Sequence, residues 1–303
     1  MNLKKRRRPA SESVSTLKRK IEARLRRIEL ADLLIDIDSE TNFLRHFLHS
    51  SETRLSLPER RRNVLAALIA TGCNIGPQRM AAASGISLWE IIQVADWHLT
   101  EDALKAASVE IVNFTARLPL SQVYGRTDSC SADGMRFYVP VNLLSADYSH
   151  VLGDHGVTMM AHTASNYSRI YQQPIPCRLR ESAFVLDGLL EHDTELDPRV
   201  CYTDTHGYTE VVMATAALLG YELAPRIKGL RHQTLYKIDR GLTYPYLDPI
   251  LSGTVKVHLI RDSWDAVVRL VASLKTRIVS PSLMLQRVSH SSVTARGYET
   301  QDR

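Results

Sequence analysis

The periodicity of apolar residues changes near residue 128, and that change limits what this chain can become. From about residue 56 to 118 the pattern is helical throughout. Beyond it, short alternating runs at Met135–Val139, Thr158–Thr163 and Ile175–Leu179 read as strands, and Glu181–Glu191 reads as a helix. A strand at Val200–Thr203, a helix at Thr209–Leu219 capped by Gly220, and a strand at Tyr221–Ile227 follow. Three strands, helix, strand, helix, strand is the order of a mixed sheet with helices on its faces, so the fold class is α/β, preceded by an all-helical region.

The helical part carries its own punctuation. Leu17, Ile21, Leu25 and Ile28 mark one face of an amphipathic helix predicted to continue towards Leu34, with a strongly basic opposite face. Ser56-Leu57-Pro58-Glu59 and Ser87-Leu88-Trp89-Glu90 are capping boxes. Between Arg79 and Ile92 small residues, Gly85 and the Ser87 cap resemble a helix-turn-helix. That unit would offer a helix to a DNA groove or serve as a plain packing hairpin. Ser263–Lys275 reads as a late helix with Trp264, Val267, Val268 and Val271 on its apolar side.

Charge is concentrated at the N-terminus. Residues 1–27 hold eleven cations: Lys4, Lys5, Arg6, Arg7, Arg8, Lys18, Arg19, Lys20, Arg24, Arg26 and Arg27. Against Glu12 and Glu22 they give +9, so the other 276 residues sum to −4 within a total of +5. A basic arm on a slightly acidic body suits a polyanion, with DNA or RNA first; a solvated tail is the plainer alternative. At 303 residues with 44% apolar content the chain can bury a large core. No apolar run approaches the ~18 residues of a membrane span, and the basic N-terminus lacks a signal peptide's apolar stretch, so a cytoplasmic location is expected. Cys73, Cys130, Cys177 and Cys201 form no C-x-x-C pair and read as buried free thiols. His150, His155 and His162 match no zinc spacing. Asp262 and Asp265 suit a helix start.

Two segments carry chemistry: SADGMRF at 131–137 and YTDTHGYT at 202–209. Each sets one aspartate in a strand-like run among small or hydroxyl residues that do not neutralise it. Asp133 falls in the first strand and Asp204 at the end of the fourth; in a ribonuclease-H-like sheet those strands are neighbours. Carboxylates 71 residues apart can then face one pair of hard cations, which stabilise the attacking and leaving oxygens of an in-line phosphoryl displacement. Aspartates also sit at strand ends simply to form turns and caps.

At these residues the chain resembles the replicative transposases of class II mobile elements, the Tn-three family. The segments that carry the resemblance are IELADLLIDID, CNIGPQRMA, VADWHLTEDALKAASVEIVN, SADGMRF, FVLDGLLEH, YTDTHGYTEVV, LGYELAPRIKGL and SWDAVVRLVASLKTRIVSPSLMLQR, from about residue 28 to about 287. The resemblance implies a ribonuclease-H-like DDE core with Mg²⁺, or Mn²⁺, as cofactor. It implies nicking of double-stranded DNA at transposon ends, joining of the freed 3′-hydroxyl to target DNA, and a homodimer or larger transposase assembly. Asp133 matches the first acidic position, where the family's S-S-D-G reads SADG here. Asp204 matches the second. Arg226 and Lys228, in the APRIK segment, join the arm as DNA-contact candidates.

The family's third acidic residue, a glutamate in an N-K-G-E-A-like segment, has no counterpart. Only Glu299 follows Glu222, and it lies in a tail without a matching segment. The organisation expected is therefore a disordered basic arm at 1–13, a helical DNA-contacting region at 14–120 and a core at 125–287 lacking its C-terminal part. A divergent tail at 288–303 closes it. The function expected is that of a transposase fragment impaired in catalysis. The alternatives are a non-enzymatic fragment that inhibits an intact transposase, or an independent ribonuclease-H-like nuclease.

Overall fold

The computed structural model describes residues 12–48, 55–125, 127–139, 145–229, 235–239 and 241–288. The arm residues Lys4, Lys5, Arg6, Arg7 and Arg8, and the tail with Glu299, lie outside them. The chain divides into two compact units, Met1–Ala107 and Ser108–Arg303.

The first unit is helical: α1 (Glu12–Glu22), α2 (Leu30–Thr41), α3 (Leu57–Gly72), α4 (Pro77–Ser84), α5 (Leu88–Trp97) and the start of α6 (Glu101–Arg117). The predicted first helix does not run on to Leu34. It stops at Glu22, and residues 23–29 connect it to α2. Nothing on α1 is buried, so its apolar stripe gains no packing among the described residues, and packing is what usually sustains so short a helix. Both capping boxes form, with Ser56 N–H donating to Glu59 and Ser87 exchanging hydrogen bonds with Glu90. Gly85 ends α4 at φ 71°, the left-handed conformation that glycine adopts without a Cβ penalty. A buried Asp38 joins α2 to α3, accepting from Arg61 and from the Leu44 N–H.

The second unit continues α6, adds α7 (Pro119–Tyr124), and is built on a six-stranded mixed sheet. Its strands are β1 (Ser129–Tyr138), β2 (Asp147–Ser149), β3 (Asp154–Ala164), β4 (Arg169–Pro176), β5 (Val200–Thr203) and β6 (Glu222–Pro225). Central β1 pairs antiparallel with β3 and parallel with β5, and β5 pairs parallel with β6. Both β2 and β4 pair with β3. The third predicted strand lies earlier than expected, ending at Pro176 instead of Leu179. Pro174 and Pro176 do not exclude it, because β4 pairs only with β3 and its free edge needs no N–H there. Strand β2 and a separate parallel pair, β7 (Leu235–Lys237) with β8 (Leu251–Thr254), had no clear sequence signal.

The predicted helix at 181–191 forms as a 3-10 turn, Glu181–Phe184, leading into α8 (Val185–Leu190). Helix α9 (Glu210–Leu219) starts at the Thr209 cap and ends at Gly220, φ 89°. The late helix, α10 (Val257–Lys275), begins six residues before Ser263. The core joins Cys130 and Ala132 of β1, Cys201 of β5 and Leu223 of β6 to Val185, Leu186 and Leu189 of α8 and to Val212, Ala216 and Leu219 of α9. Cys130 and Cys201 are buried register partners, and hydrogen bonding to Cys130 together with burial pushes the Cys201 thiol up. Cys73, expected inside, is exposed, and Cys177 is half-buried. Among the described residues no helix is long and apolar enough to cross a membrane.

Candidate active site

Pairing of β1 with β5 sets the geometry. The register runs Ser129↔Val200, Cys130↔Cys201, Ser131↔Tyr202 and Ala132↔Thr203. The next residue on β1 is Asp133, and the next after β5 is Asp204. Adjacent strands lie ~4.8 Å apart, and the two aspartates each directly follow the last paired position, Ala132↔Thr203, on neighbouring strands. Alternation puts Cys130, Ala132, Cys201 and Thr203 on the buried face, while Ser131, Asp133, Tyr202 and Asp204 are exposed.

Each aspartate is oriented by its own backbone. Asp133 Oδ1 accepts from the Gly134 N–H at 2.9 Å. Asp204 Oδ1 accepts from the N–H groups of His206 at 2.8 Å and Gly207 at 3.0 Å, an Asx-type turn that carries the chain from β5 towards α9. The other oxygen of each makes no hydrogen bond or ion pair among the described residues.

A third carboxylate stands close by, and sequence reasoning treated it only as a helix start. Glu181 lies against Gly134: a Cβ on that glycine would sit 2.5 Å from the Glu181 carboxyl carbon. Its side chain is 12% exposed and Arg136 approaches to 3.8 Å. Burial pushes the Glu181 carboxyl up and the charges of Asp204 and Asp133 add to that, while Arg136 and His206 oppose it. No local spacing rule joins a residue before α8 to the middle of β1; the sheet does.

The other predicted contacts are spread out. Lys18, Arg19 and Lys20 are exposed on α1, and Arg24, Arg26 and Arg27 are exposed in the segment after it. Arg226 follows β6, where its N–H donates to Thr203 O at 2.9 Å and its carbonyl accepts from Thr205 Oγ1 at 2.9 Å. That places it beside the Asp204 turn, with exposed Lys228 two residues on. The helical hairpin has the expected Gly85 turn, but α5 (LWEIIQVADW) contains no Lys or Arg and exposes Leu88, Trp89, Ile92 and Trp97. It offers a duplex no cation. His162, by contrast, is wholly buried against α8, with Nε2 2.8 Å from Val185 O.

A family profile described as "Tn3 transposase DDE domain" matches residues 32–300. The chain belongs to the Tn3 transposase family. It is 36% identical over 266 residues to the transposase for transposon Tn1546 of Enterococcus faecium, covering 87% of this chain and 27% of that protein. Against the transposase for transposon Tn501 of Pseudomonas aeruginosa the identity is 32% over 267 residues, 87% of this chain and 27% of the relative. The transposase for transposon gamma-delta of Escherichia coli strain K12 is 29% identical over 284 residues, 92% and 28% respectively. This Tn3-family chain thus spans little more than a quarter of the length of these relatives. The profile match continues to 300, past the last segment quoted above.

Membership in a DDE family implies a divalent metal. The donor set suits one chemically, with carboxylate oxygens on an exposed face and, among the described residues, no Lys or Arg paired with either aspartate. Among the described residues no group of three His, Cys, Asp or Glu side chains is placed to hold a metal ion. Two carboxylates suit a hard divalent cation that keeps part of its water shell.

Proposed function

We propose that this chain is a segment of a DDE transposase with a ribonuclease-H-like core, which binds transposon-end DNA and presents a phosphodiester to Asp133 and Asp204. The observation that carries the reading is the β1–β5 register, which brings two solvent-facing carboxylates onto neighbouring strands, Asp133 within β1 and Asp204 just past the end of β5. Mg²⁺ or Mn²⁺ held there would neutralise charge on the attacking and leaving oxygens of the displacement.

The protein's own part is positioning. Backbone N–H groups fix one oxygen of each aspartate, leaving the other free to turn outward. The exposed face admits a bulky duplex. In this reading Arg226 and Lys228, beside the Asp204 turn, hold a strand as it passes, and the cations of residues 4–27 supply sequence-independent attraction. Two carboxylates position a phosphoryl group less firmly than three, and such transfer depends largely on positioning. Strand transfer by this chain alone is therefore expected to be weak.

The test is nicking and joining of labelled transposon-end oligonucleotides with Mg²⁺ or Mn²⁺, alongside binding measured over a range of salt. Deleting residues 1–27 should weaken binding to any duplex and flatten its salt dependence. Absence of duplex binding by the full chain at low salt would refute the DNA reading. Robust joining that Asp204→Ala removes would refute the impairment, and its loss in Glu299→Gln as well would put the third ligand in the tail.

A further inference from the structure

A cavity of about 450 Å³ lies beside the Asp204 turn, between the outer half of β1, the β4–α8 connection and the start of α9. Its walls include Arg136, Arg178, Arg180, His206 and Thr209, with Glu181 as the one carboxylate among the described residues. Arg178 is committed to Asp147 at 2.7 Å. Arg180 makes no ion pair among the described residues. Arg136 meets Glu181 at 3.8 Å, about an ångström longer than a charge-assisted hydrogen bond. Glu181 is the more buried partner, at 12% side-chain exposure against 38% for Arg136. The cavity thus holds cationic and hydroxyl groups in excess, with one arginine loosely held and another uncommitted.

The position fits a strand of nucleic acid. A chain whose scissile phosphate lies at Asp133 and Asp204 carries further phosphates at each neighbouring nucleotide, and Thr205 and His206, which line the cavity, directly follow Asp204. We propose that this cavity is a phosphate subsite of the nucleic-acid strand passing the aspartate pair, with Arg136 exchanging Glu181 for a phosphodiester oxygen and Arg180 as its second cation. The subsite rests on the function proposed above and gives it a directional grip on the strand. Arginine suits the exchange, since its planar fork matches phosphate as well as carboxylate. Glu181 then keeps Arg136 in place until DNA arrives, and competes with DNA for it.

That competition gives the proposal its signature. Binding of the full chain to a fluorescently labelled blunt duplex is measured by anisotropy across a salt series, for the unaltered protein and for Arg136→Ala, Arg180→Ala, Glu181→Gln and the Arg136→Ala/Glu181→Gln pair. Arg261→Ala, an exposed arginine on α10 outside the cavity, is the control, and thermal melts establish that each variant folds. Arg136→Ala and Arg180→Ala should each weaken binding about three- to tenfold and lower the slope of log K against log salt by about one, as loss of one phosphate contact does. Arg136→Lys should restore most of the slope. Glu181→Gln should tighten binding, and the gain should vanish when Arg136 is absent. Unchanged slopes in the arginine variants, or a Glu181→Gln gain that survives without Arg136, would overturn the subsite while leaving DNA binding intact. Failure of the unaltered chain to bind duplex at all would instead overturn the function on which it rests.

Discussion

The two faces of the central sheet are put to opposite uses. On β1 and β5 the inner face presents Cys130, Ala132, Cys201 and Thr203, all buried, in a core shared with α8 and α9. The outer face presents Ser131, Asp133, Met135, Tyr202 and Asp204, all exposed. One strand pair therefore carries the protein's stability on alternate residues and its candidate chemistry on the residues between them. A pleated strand allows this because neighbouring side chains point to opposite sides. Substitutions on one face should change folding and leave chemistry alone, and the reverse should hold on the other.

The largest separation is expected at the aspartates. Asp133→Ala or Asp204→Ala should reduce any metal-dependent nicking to background, while each stays within about 1 kcal/mol of the parent stability because the side chain is exposed. Paired nicking assays and urea titrations check this. A large loss of stability in either variant would give the outer face a structural role.

The inner face should answer in the opposite way. A Cβ on Gly188 of α8 would come within 2.2 Å of the His162 ring, which is held by Val185 O. Gly188→Ala should therefore cost about 3 kcal/mol, at the upper end for overpacking, without changing metal dependence. A shift in the urea midpoint measures it, and a neutral result would mean that the ring moves freely.

His162 makes the same face sensitive to pH. Burial pulls its pKa from 6.5 down to about 4, with only partial relief from the Val185 carbonyl. Nδ1 has no hydrogen-bond partner among the described residues; the folded ring is neutral, and Nε2–H donates to the Val185 carbonyl. An unfolded chain takes up a proton at higher pH than the folded one does. The stability contribution is complete above pH 6.5 and is lost as the pH falls towards 4, about 2 kcal/mol of it by pH 5. Urea titrations at pH 7.5 and pH 5 should differ by that amount, and His162→Gln should flatten the difference.

The smallest effect is expected at the outer apolar positions. Met135 is 63% exposed and Tyr202 53%, so Met135→Ser and Tyr202→Ser should each change stability by less than about 0.5 kcal/mol. A loss of 2 kcal/mol in dilute solution would mean that this face is covered there, and the contrast between the faces would narrow.

The sequence by itself determined the elements whose causes are local. Strand β5 and the limits of α9 were legible because Thr209 and Gly220 act within a turn of their own helix, and the Ser87 cap with the Gly85 turn was legible for the same reason. The aspartates could be read as strand-end carboxylates, but their sharing a row depends on β1 pairing with β5, which the order of elements suggests only through a supposed sheet topology. The stop of α1 at Glu22 is not written in its apolar stripe, which runs on through Leu25 and Ile28. Tertiary structure alone placed Glu181 against Gly134 and opened the cavity beside them. Those contacts join β1 to the segments before α8 and α9, and no periodicity records them. Short-range hydrogen bonds leave their mark in adjacent residues, whereas burial and electrostatic coupling between distant segments exist only once the sheet has closed.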